Sequence, residues 1–327
     1  MMFDRTNIFD EDITHPSCHC SVIQELSNGE LMAVWYAGKS EAHKTVGLKA
    51  SWKKLDELGW SKPVMIHKTP GMPDGNAVIK EYKGQLHLYY NVVTRDMFAW
   101  SSVHLRKKVS DDLGRSWSPE PETILGKGQK GFTVRNKPLI AGDRIIIPTG
   151  QEKIFSSAAR MLISDDGTSY HLSKDVIKLP KGSCSQPTIV KLSNGNILAY
   201  LRASPIVYET TSKDEGETWS EPKATSLGCP SSALDFVRTS KGDMILVWNN
   251  NPVKMGTMKS RKALNVAYSP DEGKTWPVVK DIERDDENGR FAYPSIIEGS
   301  DGFLHLTYTN RRKTIRYVKF DIEWLKD

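Results

Sequence analysis

Arg202 and Arg261 are the residues of this chain best suited to hold a carboxylate. A guanidinium presents a planar fork of donors and keeps its charge at any physiological pH. Tyr293 offers a phenol that can act as nucleophile or proton donor once a base or cations activate it. Glu41 and Asp235 are the carboxyls placed to act as an acid, and His19 is an imidazole whose ordinary titration range suits proton transfer near neutral pH. Around these stand Asn76, Asn136 with Lys137, Gln186, Asn249 and Arg311, each at one end of an otherwise apolar, alternating segment. Polar groups at equivalent positions of apolar strands are costly to bury unless they meet one another, water or a ligand. Each has a plainer alternative: a blade carboxylate for either arginine, a satisfied buried hydroxyl for Tyr293, channel water for the amides.

The elements that must position these residues follow from internal repetition. The box S-x-D-x-G-x-x-W occurs as Ser110, Asp112, Gly114, Trp117, as Ser212, Asp214, Gly216, Trp219, and as Ser269, Asp271, Gly273, Trp276. Degraded copies close at Tyr170 and Trp60. In step with the boxes, six glycine turns (Gly29, Gly84, Gly142, Gly195, Gly242, Gly302) each separate two alternating apolar segments, the signature of a hairpin. The unit is about 54 residues, enough for four strands, and six units fill residues 1–327. We read the chain as one all-β domain, a six-bladed β-propeller. Its ends join in a composite blade, with the strand 314–322 paired to residues 1–10. In the box, Ser and Asp can satisfy backbone donors, Gly can supply a positive φ and Trp can pack the turn. It is a structural staple, and its acidic loop lacks the ligand spacing of a calcium site.

Composition narrows the function classes. A net charge of +5 without a dense basic stripe argues against nucleic acid, and RRKTIR (311–316) reads as solvent-facing strand. No apolar run reaches the length of a membrane span. The acidic start and the four cysteines point to a cytoplasmic protein with reduced, buried thiols. Cys18 and Cys20 should share one strand face, and Cys-x-Cys lacks the paired spacing of zinc modules. No metal or cofactor is implied. In a propeller the residues ahead of each inner hairpin (His19, Asn76, Asn136, Gln186, Asp235, Tyr293) should converge on the axis. Those after it (Glu41, Asn91, Gln151, Arg202, Asn249, Arg311) should rim a mouth.

Boxes and hairpins together resemble the sialidase superfamily, in its BNR/Asp-box branch, over essentially the whole chain. The resemblance implies three arginines on a substrate carboxylate, a tyrosine nucleophile paired with a glutamate, and an aspartic acid. Tyr293 in FAYPSII, Arg202 in AYLRAS and Arg261 in SRKALNVAYSPDEG match. His19 stands in place of the first arginine, Thr309 in place of its supporting glutamate, and Gln186 in place of the activating glutamate. The acid's segment GKSEAHKTVGL offers Glu41 and His43. Three functions follow as expectations: an exo-glycoside hydrolase on a terminal acidic sugar, a lyase on uronic acids using His19 or Tyr293, or a carbohydrate-binding propeller without turnover.

Overall fold

The computed structural model describes residues 1–94, 100–126, 128–251 and 261–327. The strands form six antiparallel sheets, five of four strands and one of five. In blade one the chain runs Ser17–Glu25, Glu30–Gly38, Gly47–Lys54, Val64–His67, and each next strand pairs with the one before. The other first strands are Asp74–Tyr82, Ser185–Lys191, Asp235–Arg238 and Phe291–Glu298, with Phe132–Val134 and Leu139–Ala141 sharing the role in blade three. First strands of neighbouring blades pack on one another around an axis. This is a six-bladed β-propeller.

The six hairpin glycines adopt φ between +59° and +94°, a region in which an L side chain is strained. The boxes are staples, as their composition requires. Asp112 accepts from Ser110 Oγ at 2.8 Å and Ser116 N at 2.8 Å, and the Ser110 hydroxyl accepts from Gly114 N at 2.8 Å. The copies at Asp214 and Asp271 repeat this pattern.

The core is divided among blade interfaces. One cluster joins blades one and two (Val34, Trp52, Leu88, Tyr90). Another joins blades five and six (Val247, Val266, Leu306, Tyr308), and four more fill the remaining interfaces. The ring closes where Phe3–Asn7 pairs antiparallel with Thr314–Phe320 in the sixth blade. Arg5, Arg316 and the Tyr308 hydroxyl converge on buried Glu283 of blade five, with Arg5 at 2.8 Å and Tyr308 at 2.6 Å. The closing strand ends at Phe320, and Ile322–Lys326 is a short helix capped by Asp321 where the sequence suggested continued strand.

Cys18 and Cys20 do not share a face. Cys18 packs between blades six and one, and Cys20 between blades one and two. A bulge between His19 and Val22, with Cys20 at φ +59°, breaks the two-residue alternation. Burial pushes the two thiols up, Cys18 to about 12 and Cys20 to about 11, so neither is poised as a nucleophile or metal ligand.

Candidate functional site

The bulge at Cys20 is one of a set. First strands also slip register between Asp74 and Ala77, between Ser185 and Thr188, and between Ala292 and Ser295. Gln186 (φ +43°) and Tyr293 (φ +59°) take the left-handed conformation there. A non-glycine residue held in that region costs on the order of 1–3 kcal/mol and persists only where surrounding structure enforces it. The bulges re-aim side chains at one end of the axis. Gly150 lets two of these strands meet: a Cβ there would lie 2.8 Å from Thr133 Oγ1 and 3.1 Å from Gln186 N.

Tyr293 is the centre of the resulting mouth. Its hydroxyl is 3.0 Å from Arg202 Nη1, and Arg202 also donates to Gln186 Oε1 at 2.6 Å and to Ser231 O at 2.8 Å. The guanidinium carbons of Arg135, Arg202 and Arg261 lie 5.1, 5.7 and 5.6 Å from the centre of the tyrosine ring. The His19 ring packs at 4.1 Å. Burial works against the Arg202 charge, but the Tyr293 oxygen and Glu152 hold it above its ordinary value. Arg261 is pushed below its ordinary value by burial and by the like charges of Arg202, Arg312 and Arg290, with Tyr293 opposing.

Asn136 and Asn249 lie behind the mouth and hold it in place. Asn136 Nδ2 donates to the carbonyls of Gln186 and Pro187 at 3.1 and 3.0 Å. Asn249 Nδ2 donates to those of Ala263 and Phe291 at 2.7 and 2.9 Å, each two residues from a site residue. Asn76 is buried at the bulge of blade two.

Three sequence expectations do not fit this geometry. His19 is not poised to titrate near neutrality: burial, then the charges of Arg312, Arg261 and Arg135, hold it well below its ordinary range. Its Nδ1 meets Thr309 Oγ1 at 2.9 Å, which also accepts from Cys20 N, so this imidazole helps to set the bulge. Asp235 is fully buried and committed to Lys137 (2.6 Å), the Thr188 hydroxyl (2.7 Å) and Ile296 N (2.9 Å). It ties inner strands together and is absent from the pocket lining. Arg311 points away and pairs with Asp285 on the surface.

Its neighbour Arg312 enters the site instead. Arg312 Nη2 pairs with Glu41 Oε2 at 2.7 Å, and the Tyr36 hydroxyl donates to Glu41 Oε1 at 3.1 Å. Arg312 Nε is buried without a partner. Both arginines sit at positive φ in a turn, where strand alternation no longer says which one faces inward. The sequence reading also missed Glu152, one residue past Gln151. Glu152, Ser185, Gln186, Arg202, Ser231 and Tyr293 line a pocket of about 560 Å³, bordered by Trp100 and by exposed Ile154 and Phe155. Burial pushes the Glu152 carboxyl up, against the pull of a hydrogen bond from Ser185 and the charge of Arg202.

Such an arrangement can attract an anion, orient it on several guanidinium groups and present a phenol and a raised carboxyl beside it. The chain belongs to the family of BNR repeat-like domains, whose model matches residues 29–306, and so to the sialidase superfamily. The anhydrosialidase of Macrobdella decora is 27% identical over 195 residues, covering 53% of this chain and 24% of that protein. The matched region is thus about a quarter of that relative's length. The NanB sialidase of Streptococcus pneumoniae superposes with a TM-score of 0.77 at 16% identity, covering 98% of this chain and 71% of the other. A protein of unknown function from Dyadobacter fermentans superposes with a TM-score of 0.74 at 13% identity, covering 97% and 98%. At these identities the structural likeness is one of fold.

Proposed function

We propose that the protein is a sialidase-like exo-glycosidase acting on a terminal acidic sugar. One observation carries the reading: guanidinium groups crowd a single phenol in a pocket, and among the described residues Arg202 and Arg261 make no direct ion pair, Glu152 acting on Arg202 only at longer range. Buried charge of one sign favours a ligand of the other. Arg202, Arg261 and Arg312 grip the sugar carboxylate. The Tyr293 oxygen attacks the anomeric carbon while Glu152 takes the phenolic proton. Glu41, released from Arg312 by the incoming carboxylate, takes a proton from solvent and passes it to the leaving oxygen. Water then reverses both steps and frees the tyrosine. The burial-raised Glu152 supports its place in this scheme, since a proton-transfer group works best near the operating pH.

Binding without turnover is the second reading, favoured by Gln186. Its amide sits against Arg202 and cannot accept the phenolic proton.

A thermal-shift series with sialic acid, its 2,3-dehydro form, galacturonate, glucuronate and neutral sugars tests the clamp, followed by hydrolysis assays on any acidic hit. Stabilisation by an acidic sugar that Arg202→Ala and Arg261→Ala each abolish is expected. Stabilisation by neutral sugars alone would overturn the clamp. Acidic-sugar binding with no turnover of any glycoside would leave the binding reading.

A further inference from the structure

The first strands have a second end, and there the axis opens again. Gln24, Lys80, Lys137, Lys191, Arg238 and Glu298, one from each blade in turn, line a depression of about 430 Å³. Gln24, Lys80, Lys191, Arg238 and Glu298 lie on first strands, and Lys137 lies in the break between the two short strands of blade three.

The charges around this depression are unequally satisfied. Arg238 is held by Glu272 at 2.7 Å. Glu298 accepts from Ser240 N at 2.6 Å and Oγ at 3.0 Å, and Glu25 accepts from Ser300 N at 2.7 Å. Lys137 gives its protons to Asp235 at 2.6 Å and to Phe236 O at 3.0 Å. The Lys80 ammonium reaches a neutral acceptor, Gln24 Oε1, at the long distance of 3.5 Å. Among the described residues it makes no ion pair. Burial, then the like charge of Lys137, holds it below its ordinary value. A half-buried cation with no ion pair of its own, offset only by Glu81 at longer range and set beside a second cation, is unfavourable in the empty protein. An anion placed between them relieves both the desolvation and the repulsion.

We propose that this second axial mouth is an anion site that takes a compact oxyanion, the phosphate–sulfate–carboxylate class, on Lys80 and Lys137, with the Gln24 amide turning its NH2 to the ligand. The two mouths then divide the anion chemistry of the molecule. Planar forks around a phenol stand at one end, and ammonium point charges without a nucleophile stand at the other. Asp235 lies between them. It is bonded to Lys137 and to the amide of Ile296, in the strand that runs from Tyr293 at one mouth to Glu298 at the other. The site is independent of any glycosidase activity.

Isothermal titration with inorganic phosphate, at constant ionic strength in chloride, reads the proposal directly. Glycerol phosphate in a second arm tells a free ion from a phosphate group carried on a larger molecule. Saturable binding is expected in the unaltered protein and in Arg202→Ala, and at least tenfold weaker binding in Lys80→Met. Lys80→Met keeps the apolar stem and removes a half-buried charge that has no ion pair, so its melting temperature in chloride should equal or exceed that of the parent. Lys80→Gln serves if that variant does not fold. Phosphate binding that survives Lys80→Met or Lys80→Gln would overturn the proposal, as would binding lost only in Arg202→Ala, which would place the ion at the arginine mouth. No binding at all would overturn it as well.

Discussion

The carboxyls of the box turns and those of the axial mouth are the same chemical groups in opposite circumstances. Asp112 and Asp271 sit at the rim of the blades, where hydrogen bonds from Ser116 and Thr275 hold them down to about 2. Each is spent on its own turn. Glu152 lies in the pocket, where burial pushes its carboxyl up despite Ser185 and Arg202. A satisfied carboxylate fixes backbone, whereas a desolvated one takes up a proton more readily. Environment, and not residue type, decides which carboxyls of this acidic-turn protein can do chemistry.

The sharpest way to break that contrast is at the group Glu152 serves. Tyr293→Phe should lower turnover by about 10³-fold or more while leaving carboxylate binding and the melting temperature close to the parent, measured by hydrolysis, titration and calorimetry. Retained activity would remove the tyrosine from the reaction. Glu152→Gln should lower kcat by roughly 10²-fold and erase one limb of the pH–rate profile. It should also stabilise the protein at neutral pH. Its folded-state pKa is raised, so the native state binds more protons than the unfolded chain, and stability falls as pH rises through that range. Removing the group removes the loss. A melting temperature lowered at pH 7 would contradict the desolvation reading.

Glu41→Gln should slow hydrolysis of alkyl glycosides far more than of aryl glycosides, whose leaving groups need no proton. Equal slowing of both would take Glu41 out of the acid role. The smallest effect belongs to the turns. Asp112→Asn should lower the melting temperature by a few degrees with kcat unchanged. Here the sign is reversed: the folded-state pKa is depressed, so the stabilisation is present above about pH 4 and is lost as pH falls toward about 2. A melting-temperature series from pH 7 to pH 2 should show the variant and parent converging at the acid end.

Much of this molecule is legible in its sequence because its repeat is local. A glycine turn needs a positive φ, a box satisfies itself within about seven residues, and strand alternation faces apolar residues to neighbouring blades. These rules gave six blades, and Tyr293, at the axial end of a first strand, meets Arg202, which ends blade four's second strand, and Arg261, which precedes blade five's third strand. The rules fail where alternation fails. The bulge at Cys20 sent Cys18 and Cys20 to different interfaces, and the turn after blade six's second strand put Arg312 in the site and Arg311 on the surface. Ordinary chemistry makes His19 a general acid or base and Asp235 an acid. Their neighbours come from distant blades, and those neighbours decided otherwise: the first is kept neutral by burial and arginines, the second is committed to Lys137. Local chain chemistry thus determined the architecture. Only the closed ring, which sets each group's burial and its charge partners across hundreds of residues, decided which side chains are free to act.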